Sequence, residues 1–375
     1  ISGGGRCNVT NRTVTSADFA GGSPHVVKRI LDAFPACKAV KFFRELGVTL
    51  HEEHDGKLFP DTNKARTVLD ALLTEAARLN VRILTGHRAT DLRQTETDFQ
   101  VDAADTTYTA PLVVLAAGGK SLPKTGSDGS GYRLAEKLGH TIIPTTPALV
   151  PLVLEGDFHE PLSGISHPVE LTLRAEGAKP LRVTGDMPWT RFGLSGPAVL
   201  DVSRHWHRAQ FKNRPPVLTA NFIPGHDAPA ADRRLLDFGV ARPKAQLRSA
   251  VASLLPNRVA DAVLKALNLH AETPMSQLTK DDRRRLAQSL VNWPVPVIES
   301  RGYQYAEVTA GGVPLTEVDP RTLASRKCKD LHLVGEILDV DGRLGGFNFQ
   351  WSWSTAHTAA AALAPRLQPR APKPS

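Results

Sequence analysis

The chain reads as an α/β fold, and three observations predict it. An apolar run of strand length, Leu331 to Val334, ends in Gly335 and Glu336, passes Asp339, turns at Gly345-Gly346 and opens a long Ala-rich helix at Phe347-Asn348. A second buried-strand pattern, Leu112 to Ala116, runs into Ala117-Gly118-Gly119. Between residues 63 and 80, Val68, Leu69, Leu72, Leu73, Ala76 and Leu79 fall on one helical face, followed by the strand-like Val81 to Leu84. Strand, Gly turn and helix in this order form a design for holding a dinucleotide. The acid can accept hydrogen bonds from hydroxyls. The Gly pair lets backbone approach a ring or a phosphate. The helix N-terminus offers free N–H groups and a partial positive charge. Gly335, Glu336, Asp339, Gly345, Gly346, Phe347 and Asn348 are therefore candidate cofactor-binding residues.

The remaining elements follow in chain order. Residues 1 to 11 form a Gly-rich loop. Val26, Val27, Ile30, Leu31 and Phe34 lie at helical spacing, and Pro35 interrupts them. After Val81 to Leu84, the alternating segments Thr90 to Arg93, Asp98 to Val101 and Thr106 to Thr109 predict a small β-meander. From Pro147 the texture changes. Leu149 to Leu154, Val169 to Leu173 and Leu181 to Thr184, separated by Gly and Pro turns, predict an antiparallel β-unit. Ala228 to Leu290 is helical in pattern and rich in arginine. We therefore expect residues 147–302 to be a β-plus-α domain inserted into a discontinuous domain, 1–146 and 303–363. The segment 364–375, with four prolines, reads as a disordered tail.

At 375 residues the chain can bury two cores. Lys and Arg number 46 against 38 Asp and Glu, a net charge of +8 that permits polyanion binding without demonstrating it. Three scattered cysteines, Cys7, Cys37 and Cys328, exclude a disulfide framework or a zinc site and fit a reducing cytoplasm. No apolar run reaches the ~20 residues of a membrane span.

Several motifs fail on spacing. The histidines of His51-Glu52-Glu53-His54 are three apart and lack the metalloprotease frame. His205 and His207 have no third ligand, so no metal is expected. Ser195 lacks the nucleophile-elbow context of a hydrolase. Gly126 to Gly131, before a short helix, reads equally as an anion loop or a plain turn.

The two Gly motifs, together with the opening Ser2-Gly3-Gly4-Gly5-Arg6-Cys7-Asn8, the stretch Thr125 to Tyr132 and the stretch Glu307 to Val313, resemble the BaiN/RdsA family of NAD(P)/FAD-dependent oxidoreductases, which includes enzymes named aminoacetone oxidase. The resemblance runs over nearly the whole chain. It implies a two-dinucleotide-type FAD-binding domain, with the inserted domain facing the flavin across a substrate cleft. It places Ser2, Gly3, Gly4, Gly5, Arg6 and Asn8 against the cofactor, and Ala116, Ala117, Gly118 and Gly119 beside it. NAD(P)H is the implied reductant.

The family also carries an opening strand, a Gly-x-Gly-x-x-Gly turn and a second strand ending in an acid. None of these occurs in this chain. We therefore expect the first βαβ unit to be missing by N-terminal truncation and FAD to bind the chain weakly. The resemblance leaves the substrate open: a uridine of large-subunit ribosomal RNA reduced to dihydrouridine, or, alternatively, a steroid enone or an aminoacetone-type amine. The charge favours RNA. A protein that has lost catalysis altogether is a third reading. Cys7 is either the proton donor to the substrate or a small residue filling space. Arg283, Arg284 and Arg285 are either an RNA-binding patch or a solvated face.

Overall fold

The computed structural model describes residues 5–367. It divides into two compact units. One comprises the described residues up to Pro147 together with those from Glu307 onward, and the other is Ala148–Ala306.

In the first unit, short strands at Thr10–Asn11 and Phe19–Gly21 precede α1, Pro24–Ala33, and α2, Ala36–Glu45. Pro24 sits at the first helical turn, where its missing N–H costs nothing, and Pro35 separates the two helices. Val27, Ile30 and Leu31 bury one face of α1. Helix α3, Ala65–Arg78, follows. The expected meander forms as Ala89–Gln94, Phe99–Ala103 and Thr106–Ala110. The two strands of the Gly motifs pair in parallel, Val113 opposite Leu331 and Leu115 opposite Leu333. Helix α4, Ser130–Lys137, comes after the first Gly turn.

One expected strand is absent. Val81 to Leu84 is irregular, and Val81, Ile83 and Leu84 are 55%, 55% and 44% exposed. Its composition favours a strand, but a strand also needs a neighbour to take its backbone hydrogen bonds. No strand among the described residues lies alongside. The face of α3 shares this fate: Val68 is buried, while Leu69, Leu73 and Leu79 are 48%, 41% and 56% exposed.

The second unit is a seven-stranded sheet and five helices. In spatial order the strands are Trp293–Val295, Val217–Asn221, Ser166–Arg174, Leu181–Thr190, Gly193–Leu194, Leu152–Leu154 and Val297–Ser300. Its two ends are consecutive in the chain, joined by Pro296 alone. The sheet thus curls until both edges belong to one stretch of chain, leaving little open edge. Helix α5, Pro197–Phe211, buries Val199, Val202 and Trp206 in a core with Leu171, Met187 and Leu194. Helices α6, Ala228–Ala241, α7, Leu247–Ala252, α8, Asn257–Ala266, and α9, Lys280–Val291, extend the same core through Leu235, Val251, Val263 and Leu286. The caps are local: the Asp227 carboxylate accepts from Ala230 N–H and the Thr279 hydroxyl from Asp282 N–H.

The chain returns to the first unit and ends in α10, Phe347–Leu367. Ala364 to Leu367, expected in the tail, continue this helix. The rest of that segment lies outside the described residues.

Candidate cofactor site

Helix α10 is held by its polar side chains. Gln350 accepts from the Thr10 hydroxyl at 2.6 Å and donates to the Phe34 carbonyl at 2.7 Å. Trp353 Nε1 donates to the Val9 carbonyl at 2.9 Å, and Trp351 Nε1 to the Gly335 carbonyl at 3.1 Å. These bonds fix the helix N-terminus against the loop Cys7 to Asn11 and against the strand that ends in Glu336.

The turn before α10 explains its glycines. Gly345 and Gly346 have φ of +127° and +90°. A Cβ on Gly346 would lie 2.5 Å from the Thr10 carbonyl carbon and oxygen and 2.8 Å from Asn8 Oδ1. Only glycine permits this approach. Asn348 closes the turn, accepting from Gly342 N–H at 2.8 Å and donating to the Gly342 carbonyl at 3.0 Å. Asn11 Nδ2 donates to the Gly345 carbonyl at 3.1 Å. Phe347 is fully buried, edge-on to Phe19 with its ring 4.2 Å below the Arg343 guanidinium, so its backbone is what it offers a ligand. Beside this turn is an open polar cavity of about 980 Å3 lined by Asn11, Arg12, Asp18, Glu53, Asp55 and Arg343.

A second junction ties the other Gly motifs together. The Glu336 carboxylate accepts from Thr309 N–H at 2.6 Å. Thr309 Oγ1 accepts from Lys120 N–H at 2.7 Å and lies 3.1 Å from the Ser121 hydroxyl. A Cβ on Gly119 would come within 2.4 Å of Thr309 Oγ1. Burial pushes the Glu336 carboxyl above the usual range, opposed by hydrogen bonds from Thr309 and Gly119. Glu336 thus joins two Gly turns through their backbone. Asp339 presents its carbonyl to Gly22 N–H at 2.9 Å. Ala116 and Ala117 are exposed at the end of their strand.

Ser2, Gly3 and Gly4 lie outside the described residues. Gly5 is exposed with φ +87°. Arg6 pairs with Glu53 at 2.7 Å and stacks 4.2 Å over the Phe59 ring. Cys7 is buried with Val9, Phe43, Val48 and Val68, and burial pushes its thiol up to about 11. This packing supports the space-filling reading of Cys7. Asn8 is 7% exposed, and its Oδ1 has no hydrogen-bond partner. Pairing with Arg88 holds the Asp128 carboxyl down at about 2, and Asp128 accepts from Ser130 N–H at 3.0 Å. The 126–131 loop therefore already carries its own anion, which supports the turn reading.

The three arginines have separate surroundings. Arg283 makes a two-pronged pair with Asp232 at 2.8 and 3.3 Å. Arg285 pairs with Asp282 at 2.9 Å. Arg284 is exposed. Sequence reasoning missed Thr309, Arg343 and Gln350 as parts of the cofactor region. Thr309 was signalled by its place before Gly311-Gly312. The others act through contacts spanning up to 340 residues, for which the chain carries no local sign. Among the described residues, no group of three or more His, Cys, Asp or Glu could hold a metal ion, and no helix is long and apolar enough to cross a membrane.

A family profile described as HI0933-like protein Rossmann domain matches residues 1–362. The ribosomal RNA dihydrouridine synthase of Escherichia coli is 34% identical over 366 residues, covering 97% of this chain and 88% of the relative. The 3-dehydro-bile acid delta(4,6)-reductase of Clostridium scindens is 31% identical over 365 residues, 97% of this chain and 89% of the relative. The ribosomal RNA dihydrouridine synthase of Haemophilus influenzae is 30% identical over 369 residues, 97% and 88%.

Proposed function

The chain belongs to the HI0933-like Rossmann-domain family and is an oxidoreductase, and from that premise we propose that it binds FAD, draws electrons from NAD(P)H and reduces a uridine of large-subunit ribosomal RNA to dihydrouridine. The residues fit a flavin dinucleotide. The Gly345-Gly346 turn packs its backbone against Thr10 at a helix N-terminus, and Asn8 Oδ1 beside it is an orphaned buried acceptor. Gly345, Gly346 and the first N–H groups of α10 would hold the flavin end, with Asn348 and Asn11 fixing their backbone. Gly118, Gly119, Gly335 and Asp339 would line the rest of the dinucleotide, with Glu336 keeping those turns in register. Bound there, the flavin supplies two-electron hydride chemistry.

The reaction balances simply. One carbon of the uracil double bond gains hydride, its neighbour gains a proton, and NAD(P)H leaves as NAD(P)+. Cys7 sits in an apolar cluster with a thiol near 11, so we assign the proton to another group and Cys7 to packing. We assign the unit Ala148–Ala306 to the substrate. It carries 20 Lys and Arg against 15 Asp and Glu, most of the chain's excess positive charge.

The observation that carries the RNA reading is the pair of relatives named ribosomal RNA dihydrouridine synthase, each matched over 97% of this chain. The bile acid reductase, matched over the same share, supports a second reading. The two chemistries are close, since each reduces a carbon–carbon double bond conjugated to a carbonyl. The test is direct. The purified chain receives FAD, NADPH or NADH, and either large-subunit ribosomal RNA lacking dihydrouridine or a 3-keto steroid with a conjugated double bond. Nucleoside mass spectrometry and steroid chromatography read the products. Dihydrouridine in the RNA is the expected result. Steroid reduction with RNA untouched selects the second reading.

A further inference from the structure

The arginine-rich helices of the second unit hold a site that shares only Arg284 with the Arg283 to Arg285 run. Asp232 on α6 and Arg283 on α9 are bonded to each other, which fastens the two helices and neutralises both groups. Arg285 is likewise matched by Asp282. What remains is a groove along α6 made of two hollows that share Pro229, Arg233 and Asp237: one of about 440 Å3 lined by His226 and α6, and one of about 640 Å3 that opens between α6 and α9. Arg233, Arg234 and Arg284 line it, and all three are exposed. Asp237 is the lining carboxylate outside the Asp232–Arg283 pair. Arg234 reaches His226 Nε2 at 3.0 Å, which holds its guanidinium at the rim. The floor is apolar at Leu236, 43% exposed, and Val240, one turn on, is 75% exposed.

We propose that the groove along α6 docks the phosphate backbone of RNA through Arg233, Arg234 and Arg284. The proposal rests on the RNA reading above and names the surface that the RNA occupies. Guanidinium groups present paired donors that match phosphate oxygens, and three of them along one groove fit successive phosphates. The groove carries no Phe, Tyr or Trp, and its one ring, His226, is engaged by Arg234, so it positions the strand through phosphates. The excess positive charge of the whole unit favours a polyanion over a short acidic peptide.

The test uses the full chain and a fluorescein-labelled, uridine-rich 20-nucleotide RNA, with affinity measured by anisotropy from low to moderate salt. The triple variant R233E/R234E/R284E should bind at least ten-fold more weakly. Its log–log salt slope should be shallower by about 2, because each single-strand phosphate left unneutralised takes roughly 0.7 off the slope. A matched variant, K179E/R182E/R214E, makes the same charge change on exposed positions elsewhere in the unit and should lose less than three-fold. The lysine set R233K/R234K/R284K keeps the charge and should retain most of the affinity. Thermal melting checks that all variants fold. Equal losses in both triple variants would mean that only net charge matters, and would overturn the groove. If the parent binds RNA and the triple variant binds as well, the groove is wrong while the RNA reading survives. If polyglutamate binds the parent as tightly as the RNA does and loses affinity in parallel, the surface recognises acidic protein instead. If the parent binds no RNA, both readings fall together.

Discussion

Helices α3 and α10 belong to the same unit and both carry a repeating apolar pattern, yet their fates differ. Helix α10 has Phe347, Trp351, Ala359 and Leu363 buried, and it ties down its indoles and amides over long sequence distances. Helix α3 buries Val68 and leaves three leucines about half exposed. Periodicity states which residues prefer to leave water. Whether they do so depends on what lies opposite. Helix α10 has α1, the turn Gly335–Ile337 and the loop Cys7 to Asn11 against it. Helix α3 and the adjacent Val81 to Leu84 have no such cover among the described residues.

The comparison predicts graded effects. Trp351→Ala should be the most damaging, costing about 3–5 kcal/mol, because it removes a 1%-exposed ring and leaves the Gly335 carbonyl without its indole donor. Urea unfolding of the parent and the variant measures this. A loss under 1 kcal/mol would mean that α10 is not the anchor described.

Gly346→Ala should come next, at roughly 2–3 kcal/mol, since it adds a methyl against Thr10 backbone at a φ that other residues avoid. It should also lower flavin retention, read from the visible spectrum after gel filtration. Normal stability with normal flavin content would show that the turn is looser than the contacts imply.

Glu336 gives a pH test. Its carboxyl is raised in the folded state, so its favourable contribution is complete below the unfolded value near 4.5 and is lost as pH rises through the folded value. Glu336→Gln keeps an acceptor for Thr309 N–H and removes the charge. It should be neutral or mildly stabilising at pH 7, and its stability should fall less between pH 4 and 7 than the parent's. Glu336→Ala orphans that N–H and should cost about 1–3 kcal/mol. If Gln destabilises as much as Ala, the carboxylate is needed charged and the direction is wrong.

Leu73→Ala on α3 should have the smallest effect, within about 0.5 kcal/mol, as for other exposed positions. A cost near that of Trp351→Ala would erase the contrast between the two helices.

Much of the molecule was legible because its signals are local. A Gly-Gly pair before a helix, a mostly apolar run before a Gly, and alternation in the meander each act within a few residues, where backbone sterics and periodicity rule. The parallel pairing of Leu331 to Leu333 with Val113 to Leu115 joins the two strands that lead into the Gly turns, a partnership that the local patterns did not specify. The partners of Glu336 were not legible. An acid after a strand reads as a ligand for hydroxyls, while the fold gives its carboxylate to Thr309 N–H, 27 residues away. The three consecutive arginines are alike in sequence, but only Arg284 is left facing the groove, because Asp232 on another helix takes Arg283 and Asp282 takes Arg285.

The sequence by itself determined the α/β class, the strand–turn–helix motifs and the family. Those depend on the intrinsic conformational limits of short segments. The tertiary structure alone decided which polar groups are used up and which stay open. Charge pairing, burial and the absence of a neighbour for a strand are properties of residues far apart in the chain, and no local pattern encodes who stands opposite whom.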